Sequence, residues 1–371
     1  MSSSPASTAR HAAPPDAQSC VAAVAAGTEG ARAIALGGPT VHCKRLQQAP
    51  PELDASGADA DRVLVRTRAF SCNYRDRGMF TWLGQNLAAG QGSGFGSEFV
   101  AEVIAVGARV TRLRPGDRVV GDNAYPGDAG PDVPQGMPTN TASERYHVLH
   151  HAKLFVIDDT MPDADAAAFS LGAQTAFAMI RKLALRAGER LLVTAGASST
   201  SLFALAALRG SGVLVDVLTT SPAHVARLRA LGATEVLLAD RGAPEFALRR
   251  ACAGGRRWSA VLDPFTDVYL PRVVPFMALD ARYVTCGVSG AIVDAAPVPA
   301  TWMTDVILKR LTIMGNCLGE TADLRAAWDA HRRGALAVPV DSVWRGDDVP
   351  GFLERSFVAP ERFGKVVYRY E

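Results

Sequence analysis

The chain has 371 residues, of which 48% are hydrophobic and 20% are charged, and its formal net charge is +2 at pH 7. This composition is typical of a globular protein with two or three domains. The near balance of charge argues against nucleic-acid and membrane-surface partners, and the lack of an apolar run of about 18–20 residues argues against a membrane span.

The cysteines and the N-terminal segment indicate the compartment. Six cysteines are scattered along the chain without a Cys-x-x-Cys pair: Cys20, Cys43, Cys72, Cys252, Cys286 and Cys317. This pattern fits neither a disulfide framework nor a structural zinc knuckle, so we predict free thiols in a reducing cytoplasm. Residues 1–30 are rich in Ser, Ala and Pro, and no basic segment precedes a long apolar core. We therefore expect a disordered tail and no secretory signal there.

The pattern of apolar residues divides the rest of the chain in two. Residues 62–68, 99–106 and 118–120 are typical of strands, and the Gly-, Pro- and Asp-rich stretch 121–140 predicts a long loop. Beyond residue 160, helices are predicted at 163–169, 175–182, 201–208 and 224–231, and strands at 190–194, 212–219, 235–238, 259–263 and 281–286. A β-rich domain is thus followed by alternating strands and helices, which predict βαβ units and a parallel sheet.

Five segments of residues 31–371 occur in a distinctive order. They are 71–76 (SCNYRD), 96–107 (GSEFVAEVIAVG) with 114–119 (RPGDRV), 172–177 (GAQTAF), 186–194 (RAGERLLVT), and 308–315 (LKRLTIMG) with 363–367 (FGKVV). In these segments the chain resembles the medium-chain dehydrogenase/reductase superfamily, in its zinc-independent quinone oxidoreductase and enoyl reductase branch.

The resemblance implies an α/β protein with a Rossmann-type, doubly wound parallel sheet domain and a GroES-like, β-rich catalytic domain. It assigns 31–160 and 321–371 to the catalytic domain and 161–320 to the cofactor-binding domain, with the active site in the cleft between them. Members of the family are usually dimers or tetramers, so a homodimer is a possible assembly.

Two substitutions at the family's zinc position bear on the chemistry. By the resemblance, zinc-dependent relatives carry a cysteine where this chain has Asn73 and a histidine where it has Ser97. An amide and a hydroxyl are poor zinc ligands, and the loop 121–140 has no cysteine, so we expect no metal. Without a Lewis acid to lower the pKa of an alcohol, reduction of a C=C bond conjugated to a carbonyl is easier to explain than alcohol oxidation.

The segment 195–201 (AGASSTS) stands where the family has its glycine-rich cofactor turn. It retains one glycine, so the G-x-G-x-x-G fingerprint is missing. Small residues still permit a tight turn, and hydroxyls at a helix start can donate to a pyrophosphate. The resemblance therefore assigns cofactor contacts to Gly196, Ser198, Ser199, Thr200 and Ser201. The alternative is that these serines only cap a helix.

The tip of the following strand favours NADPH over NADH. Asp216 falls within the strand, too early to bind a ribose 2′-hydroxyl. Hydroxyls and bases suit a 2′-phosphate, and the candidates are Thr219, Thr220, Ser221, His224 and Arg227. The alternative is that His224 and Arg227 form a solvated helix face.

The resemblance also places residues around the nicotinamide and the substrate. It implies cofactor contacts at Asn73, Thr175, Cys286, Gly287, Gly315, Asn316 and Lys365, the last of which would reach the adenosine phosphates. Tyr74 can donate a proton to a substrate carbonyl, with Asn73 and Cys72 as the other catalytic candidates. The alternative for Tyr74 is a pyrophosphate contact or packing between the domains.

These features predict a zinc-independent reductase that uses NADPH (NADP+ as product) to transfer a hydride to an activated C=C bond. The substrate would be a small-molecule or carrier-bound enoyl thioester, enone or quinone in bacterial biosynthetic metabolism. One alternative is a C=N reductase of a biosynthetic intermediate, which would need an acid in the cleft. The other is a non-catalytic binding or scaffold protein of the same fold, because the glycine loop is eroded.

Overall fold

The computed structural model describes residues 18–127, 130–241, 243–288 and 301–371. The strands in these ranges are β1 (Gln18–Val24), β2 (Arg32–Ala35), β3 (Thr40–Gln48), β4 (Arg62–Ser71), β5 (Gly92–Ser93), β6 (Glu98–Val106), β7 (Arg118–Gly121), β8 (Tyr146–His150), β9 (Leu154–Ile157), β10 (Arg190–Val193), β11 (Leu214–Thr219), β12 (Glu235–Leu238), β13 (Trp258–Asp263), β14 (Met277–Thr285), β15 (Thr312–Gly315), β16 (Val340–Trp344) and β17 (Lys365–Arg369).

The α-helices in the same ranges are α1 (Asp76–Asn86), α2 (Asp163–Ala166), α3 (Ser170–Leu183), α4 (Ser199–Ala207), α5 (Val225–Ala230), α6 (Glu245–Ala251), α7 (Thr266–Val273), α8 (Trp302–Leu308), α9 (Thr321–Arg332) and α10 (Val349–Phe357). Short 3₁₀ helices occur at His151–Lys153, Pro222–His224, Ala253–Gly255 and Val274–Phe276. No helix in the described part of the chain combines the length and apolarity needed to cross a membrane.

The β-rich half of the molecule (the first half) contains two sheets. One has the strand order β2-β3-β1-β5, and the other has the order β16-β17-β4-β6-β7-β9 with β8 paired to β4. Strand β17 pairs antiparallel with β4, so that Val367 lies opposite Ser71. The end of the chain therefore returns to the first half and completes its larger sheet.

The second half forms a six-stranded parallel sheet with the order β12-β11-β10-β13-β14-β15. Its central strand β10 is apolar on both faces, because α3 and α4 cover the side of Leu191 and Val193 while α6 and α7 cover the side of Leu192. Continuous apolar runs are typical of parallel strands buried on both faces. The strand order reverses beside β10, which confirms the predicted doubly wound sheet and places a ligand-binding switch point at its carboxyl end.

Helix α9 lies where the two halves meet. Its residues Leu324, Ala327 and Trp328 share one apolar core with α3, and the Trp328 ring packs edge-on against Phe155 of β9. Helix α9 thus packs with the parallel-sheet half, and β16 is the first strand after it that belongs to the larger β-rich sheet.

The expectation of a disordered tail is wrong for residues 18–24. They form β1, whose last five residues are buried and which pairs antiparallel with β3. Alanine is depleted in strands, so this alanine-rich segment carries a weak strand signal. Pairing with β3 and burial against the core override that low propensity. Residues 1–17 lie outside the described residues.

The Tyr370 hydroxyl links β1 to the larger sheet, and removal of this hydroxyl tests the link. The Val21 N–H donates to Tyr370 Oη at 3.1 Å, and this hydroxyl donates to the Ser143 carbonyl. Because Tyr370→Phe leaves both buried backbone groups unpaired, we expect the free energy of unfolding in urea to fall by about 2 kcal/mol. The control Tyr125→Phe alters a tyrosine that is 45% exposed and should change it little. Equal stability of the two variants would contradict the role of Tyr370.

Candidate active site

A cleft of about 540 Å³ lies at the carboxyl end of the parallel sheet. Strands β14 and β15 end side by side there, with Thr285 paired to Gly315. The cleft is lined by the residues that follow these strands and by two neighbouring segments: Thr285, Cys286, Gly287, Val288, Gly315, Asn316 and Cys317, with Thr266, Lys182, Tyr125 and Pro126. The structure thus brings together four predicted nicotinamide contacts, at 286, 287, 315 and 316.

Two buried hydroxyls on the neighbouring helices have no hydrogen-bond partner within the described residues. They are Thr175 Oγ1 on α3 and Ser199 Oγ at the start of α4. Thr175 is 4% exposed and Ser199 is 9% exposed. An unpaired buried hydroxyl costs about 1–3 kcal/mol, so each is a group that a bound ligand can satisfy. Both positions were predicted to contact the dinucleotide, and the residues present fit that cofactor.

The turn 195–198 is shaped by its own small residues. A side chain at Gly196 would place its Cβ 2.4 Å from Val217 Cγ1, so only glycine fits there. Ser198 Oγ accepts from the Ser201 N–H at 3.2 Å, and Ser201 Oγ donates to the Thr194 carbonyl at 2.7 Å. Ser198 thus caps α4, as the alternative interpretation of the loop expects, whereas Ser201 anchors the first turn of the helix to the end of β10.

The amides at the start of α4 remain suited to an anion. The first N–H groups of a helix have no partner within the helix, and Ser199 and Thr200 supply them here. Helix α4 has nine residues, and its N-terminus faces the carboxyl edge of the sheet directly after β10. A pyrophosphate can therefore bind through backbone groups although the glycine fingerprint is missing.

The tip of β11 differs from the expected phosphate site at His224. Its Nδ1 lies 3.4 Å from Thr219 Oγ1 and its Nε2 lies 3.2 Å from the Glu361 carbonyl. The residue is 3% exposed, and its ring packs against Phe363. The phosphate role of His224 is corrected, because both ring nitrogens face groups of the protein interior.

Of the other residues at this tip, Thr219 is buried and the rest are accessible or partly so. Thr220 is exposed, Ser221 is half-buried, and the Arg227 guanidinium lies 3.8 Å above the Phe363 ring. Asp216 is fully buried and accepts from Arg190 and from Trp258 Nε1. Asp216 is thus a structural residue of the sheet, and Arg227 is the cation that borders the strand tip.

Lys365 does not reach the surface near the cofactor loop. It is 3% exposed, and its Nζ lies 2.7 Å from Glu98 Oε2 in the interior of the first half. The expected contact with adenosine phosphates is therefore corrected: β17 directs this side chain inward, towards β4 and β6. The backbone of the preceding residue does approach the cofactor loop, since the Gly364 N–H donates to the Ala197 carbonyl at 3.0 Å.

The three catalytic candidates are placed differently. Cys72 lies in the apolar core of the first half, and burial raises the pKa of its thiol well above the usual value, so it is no proton donor. The Asn73 side chain accepts from Lys365 Nζ at 2.6 Å and donates to Ser97 Oγ at 3.1 Å. Tyr74 packs edge-on against Phe265, with ring centres 5.0 Å apart, and joins the two halves. None of the three lines the cleft itself, but Tyr74 contacts Phe265, the residue before Thr266 in the cleft wall.

The residues at the family's zinc position do not fit a zinc ion. Asn73 and Ser97 face each other through a hydrogen bond, and the Lys365 ammonium lies beside them. A thiolate and an imidazole are replaced by neutral oxygen and amide groups. Within the described residues, no group of three or more His, Cys, Asp or Glu side chains is arranged to hold a metal.

Two features of this edge of the sheet were not predicted from the sequence. Lys182 of α3 reaches the cleft and donates to the Gly315 carbonyl at 3.0 Å. Asp263 ends β13 and accepts from the hydroxyls of Thr194 and Tyr283 and from the Phe265 N–H. An acid at the end of an otherwise apolar strand was the available signal for Asp263. Its carboxylate ties the ends of three strands together beneath the cofactor loop.

Asp263 predicts a pH dependence of stability. Burial raises the pKa of its carboxyl from 3.8 to about 6. The folded protein therefore binds this proton more tightly than the unfolded chain, and a contribution of about 3 kcal/mol present below pH 3.8 is lost as the pH rises through about 6. We expect Asp263→Asn, which cannot ionise, to flatten the decline in the free energy of unfolding over this range, measured by urea titration at each pH.

The matched control is Asp159→Asn, which alters a carboxylate that is 96% exposed. This variant should keep the wild-type slope between about pH 4 and about pH 6.5. A wild-type slope in Asp263→Asn would contradict the assignment.

Comparison with known proteins places this site in a family. Residues 59–154 match the alcohol dehydrogenase GroES-like domain. The chain is 33% identical over 230 residues to erythronolide synthase EryA2 of Saccharopolyspora erythraea, covering 62% of this chain and 6% of that protein. It is 35% identical over 176 residues to a quinone oxidoreductase of Pseudomonas aeruginosa, covering 47% of this chain and 49% of that one. The alignments thus span half or less of these relatives.

A solved structure shares the whole architecture. A mycobacterial protein in complex with NADPH superposes with a TM-score of 0.70, covering 88% of this chain and 95% of its own at 19% identity. At this identity the likeness shows the fold. The GroES-like match, the doubly wound sheet and the oxidoreductase relatives agree with one another and support the resemblance to the medium-chain dehydrogenase/reductase superfamily.

Proposed function

We propose that the protein is a zinc-independent, NADPH-dependent reductase of an activated C=C bond. The observation that carries this proposal is the cleft beyond β14 and β15, which is lined by Lys182 of α3, the helix that also carries the unpaired Thr175 hydroxyl. The cleft lies on the carboxyl edge of a doubly wound sheet, and dinucleotides bind along this edge at the switch point, here between β10 and β13. The names of the relatives agree with it, since one is a quinone oxidoreductase and another a polyketide synthase.

In this proposal, each part of the reaction is assigned to particular residues of the chain. NADPH, when bound, supplies the hydride. The N–H groups of Ser199 and Thr200 would hold its pyrophosphate, and the Thr175 hydroxyl would bind near its nicotinamide half. Tyr74, at the seam between the halves, would donate a proton to the reduced substrate.

The residue types at the family's metal position support a C=C bond as the target. Asn73, Ser97 and Lys365 offer no ligand set for a Lewis acid that would lower the pKa of an alcohol. Reduction of a conjugated C=C bond places the developing charge on the carbonyl oxygen, which hydrogen-bond donors can stabilise. An enoyl thioester, an enone or a quinone has this electronic arrangement.

The preference for NADPH rests on charge at the tip of β11. Its only acid, Asp216, is bound to Arg190 and Trp258 within the sheet, and Thr219, Thr220 and Ser221 follow. Arg227 borders this tip and is exposed. A guanidinium beside hydroxyl groups suits a 2′-phosphate. The six cysteines are free thiols, which supports a reducing cytoplasm as the place of the reaction.

The proposal is tested by titration of the purified protein with NADPH and, separately, NADH, followed by nicotinamide fluorescence. Substrate turnover is then measured with an enoyl thioester, an enone, a quinone and a cyclic imine. We expect tighter binding of NADPH and turnover of at least one conjugated C=C substrate. Turnover of the imine alone would replace the proposal by C=N reduction. Binding of neither coenzyme at millimolar concentration would indicate a non-catalytic protein.

Arg227→Gln tests the phosphate preference. Loss of one charged hydrogen bond should raise the Kd for NADPH by about tenfold and leave the Kd for NADH unchanged. The control is Arg229→Gln, which removes an exposed arginine on the same helix. Equal effects on the two coenzymes, or an equal effect of the control, would contradict a specific role for Arg227.

A second copy of the chain is the proposed partner at the edge of the parallel sheet. Among the described strands, β15 is the outermost one there, and an unpaired edge is a template for another strand. Large apolar side chains are exposed around it, and they are Leu279, Met303, Ile307, Leu308 and Ile313. Exposed apolar surface of this kind marks contact sites. A two-fold axis can pair β15 with itself, because an isologous contact uses the same patch twice.

Ile313→Lys should disrupt this dimer, because it places a charge beside each edge strand. We expect light scattering after gel filtration to give a dimer mass for the wild type and a monomer mass for the variant. Phe246→Lys alters a side chain that is 77% exposed on α6 and should remain dimeric. A monomeric wild type at micromolar concentration would refute the assembly.

A further inference from the structure

The Lys365 ammonium has an unusual setting inside the β-rich half. Its Nζ lies 2.7 Å from Glu98 Oε2, 2.6 Å from Asn73 Oδ1, 3.0 Å from the Cys72 carbonyl and 3.3 Å from Ser71 Oγ. The lysine side chain is 4% exposed and that of Glu98 is 0% exposed. Four oxygen atoms thus surround one buried cation that has three protons to donate.

By the resemblance, zinc-dependent relatives place metal ligands at the position of one surrounding residue, Asn73, and at that of Ser97, which is bound to Asn73. Asn73 contacts the ammonium directly, and Ser97 is bound to the Asn73 amide at 3.1 Å. We propose that the Lys365 ammonium occupies the place of the missing metal and does its positioning work. The residues of this chain do not fit the zinc ion of the zinc-dependent relatives, and the lysine ammonium would supply the positive charge in its place.

Through Asn73, the ammonium fixes the backbone beside Tyr74, the proposed proton donor. The Asn73 N–H donates to Asp76 Oδ2 at 2.8 Å, and the same oxygen accepts from Ser97 Oγ. With its side-chain oxygen bound to Lys365, Asn73 is fixed in position and orientation. The adjacent residue is Tyr74, whose ring closes the seam against Phe265. Lys365 is therefore a positioning residue for Tyr74, with no contact to substrate required.

The ammonium also holds the cofactor side of the cleft through Glu98. While Glu98 Oε2 binds Lys365, Glu98 Oε1 accepts from the Leu171 N–H at 2.9 Å, in the first turn of α3. A carboxylate at a helix N-terminus is stabilised there. Thr175, with its unpaired hydroxyl, lies one turn further along α3. One buried ion pair thus fixes both walls against which the cofactor and the substrate would bind.

The location of the ammonium is tested by rebuilding the metal site around it. Asn73→Cys/Ser97→His restores the two ligand types and keeps Lys365. Asn73→Cys/Ser97→His/Lys365→Met also removes the cation, which frees the Glu98 carboxylate as a third ligand. Each variant, with its fold verified by circular dichroism, is titrated with Co²⁺, and the thiolate-to-cobalt absorption is recorded. The control is Lys365→Met/Glu98→Gln, which offers no ligands.

We expect the triple variant to bind one Co²⁺ per chain at least about 100-fold more tightly than the variant that keeps Lys365, because two cations cannot share one position. The control should show no charge-transfer band. Equal affinity of the two variants, or no uptake by the triple variant, would overturn the location of the ammonium. This result does not depend on whether the protein is a reductase.

The positioning role rests on the proposed function and is tested with the control variant itself. Lys365→Met alone would leave a buried carboxylate unpaired, whereas Lys365→Met/Glu98→Gln removes both charges and keeps an acceptor for Leu171. We expect this double variant to fold and to bind NADPH, with kcat lowered about 10- to 100-fold and KM little changed. Wild-type kcat in the folded double variant would overturn the role. Absence of turnover in the wild type would instead refute the proposed function.

Discussion

The fold and the candidate site depend on how the two halves are held at Glu98. Its carboxylate is fully buried, and a buried carboxylate is tolerated only when its oxygens are satisfied. One oxygen binds Lys365 from the last strand, and the other receives the Leu171 N–H from the first helix of the parallel-sheet half. Three segments that are distant in the sequence therefore meet at one charge. Both halves are therefore anchored to this one carboxylate.

In this arrangement, the residues that fix the geometry of the site are different from the groups that can contact a ligand. The interior charges at Asp76, Glu98 and Lys365 are engaged with each other and with backbone groups. Among the described residues, the groups that a ligand can engage are the peptide N–H groups at the start of α4 and the hydroxyls of Thr175 and Ser199. A reductase that receives its hydride from a coenzyme needs little more than positioning and hydrogen-bond donors. The eroded glycine loop is compatible with this requirement, since backbone groups at α4 do not depend on which small residues precede them.

Much of the parallel-sheet half could be predicted, and the reasons are local. Strands such as β10 and β13 are apolar runs bounded by turns, and helices with their own periodicity separate them. The gathering of Cys286, Gly287, Gly315 and Asn316 in one cleft followed because parallel strands end at the same edge of a sheet. Strand β1 was not predicted, because an alanine-rich sequence carries little strand signal. The inward turns of His224 and Lys365 could not be predicted, because Phe363 and Glu98, which receive them, lie far away in the chain.

The pairing of β17 with β4 has a consequence for the order of folding. Lys365 and the Cys72 carbonyl that it binds are separated by 293 positions in the chain. Contacts of such separation are slow to form, because a long loop must close before they stabilise anything. On the ribosome, β4 emerges long before its partner strand exists, whereas all six strands of the parallel sheet have been made before β17. The parallel-sheet half can therefore reach its native packing first and serve as the surface on which the β-rich half is completed.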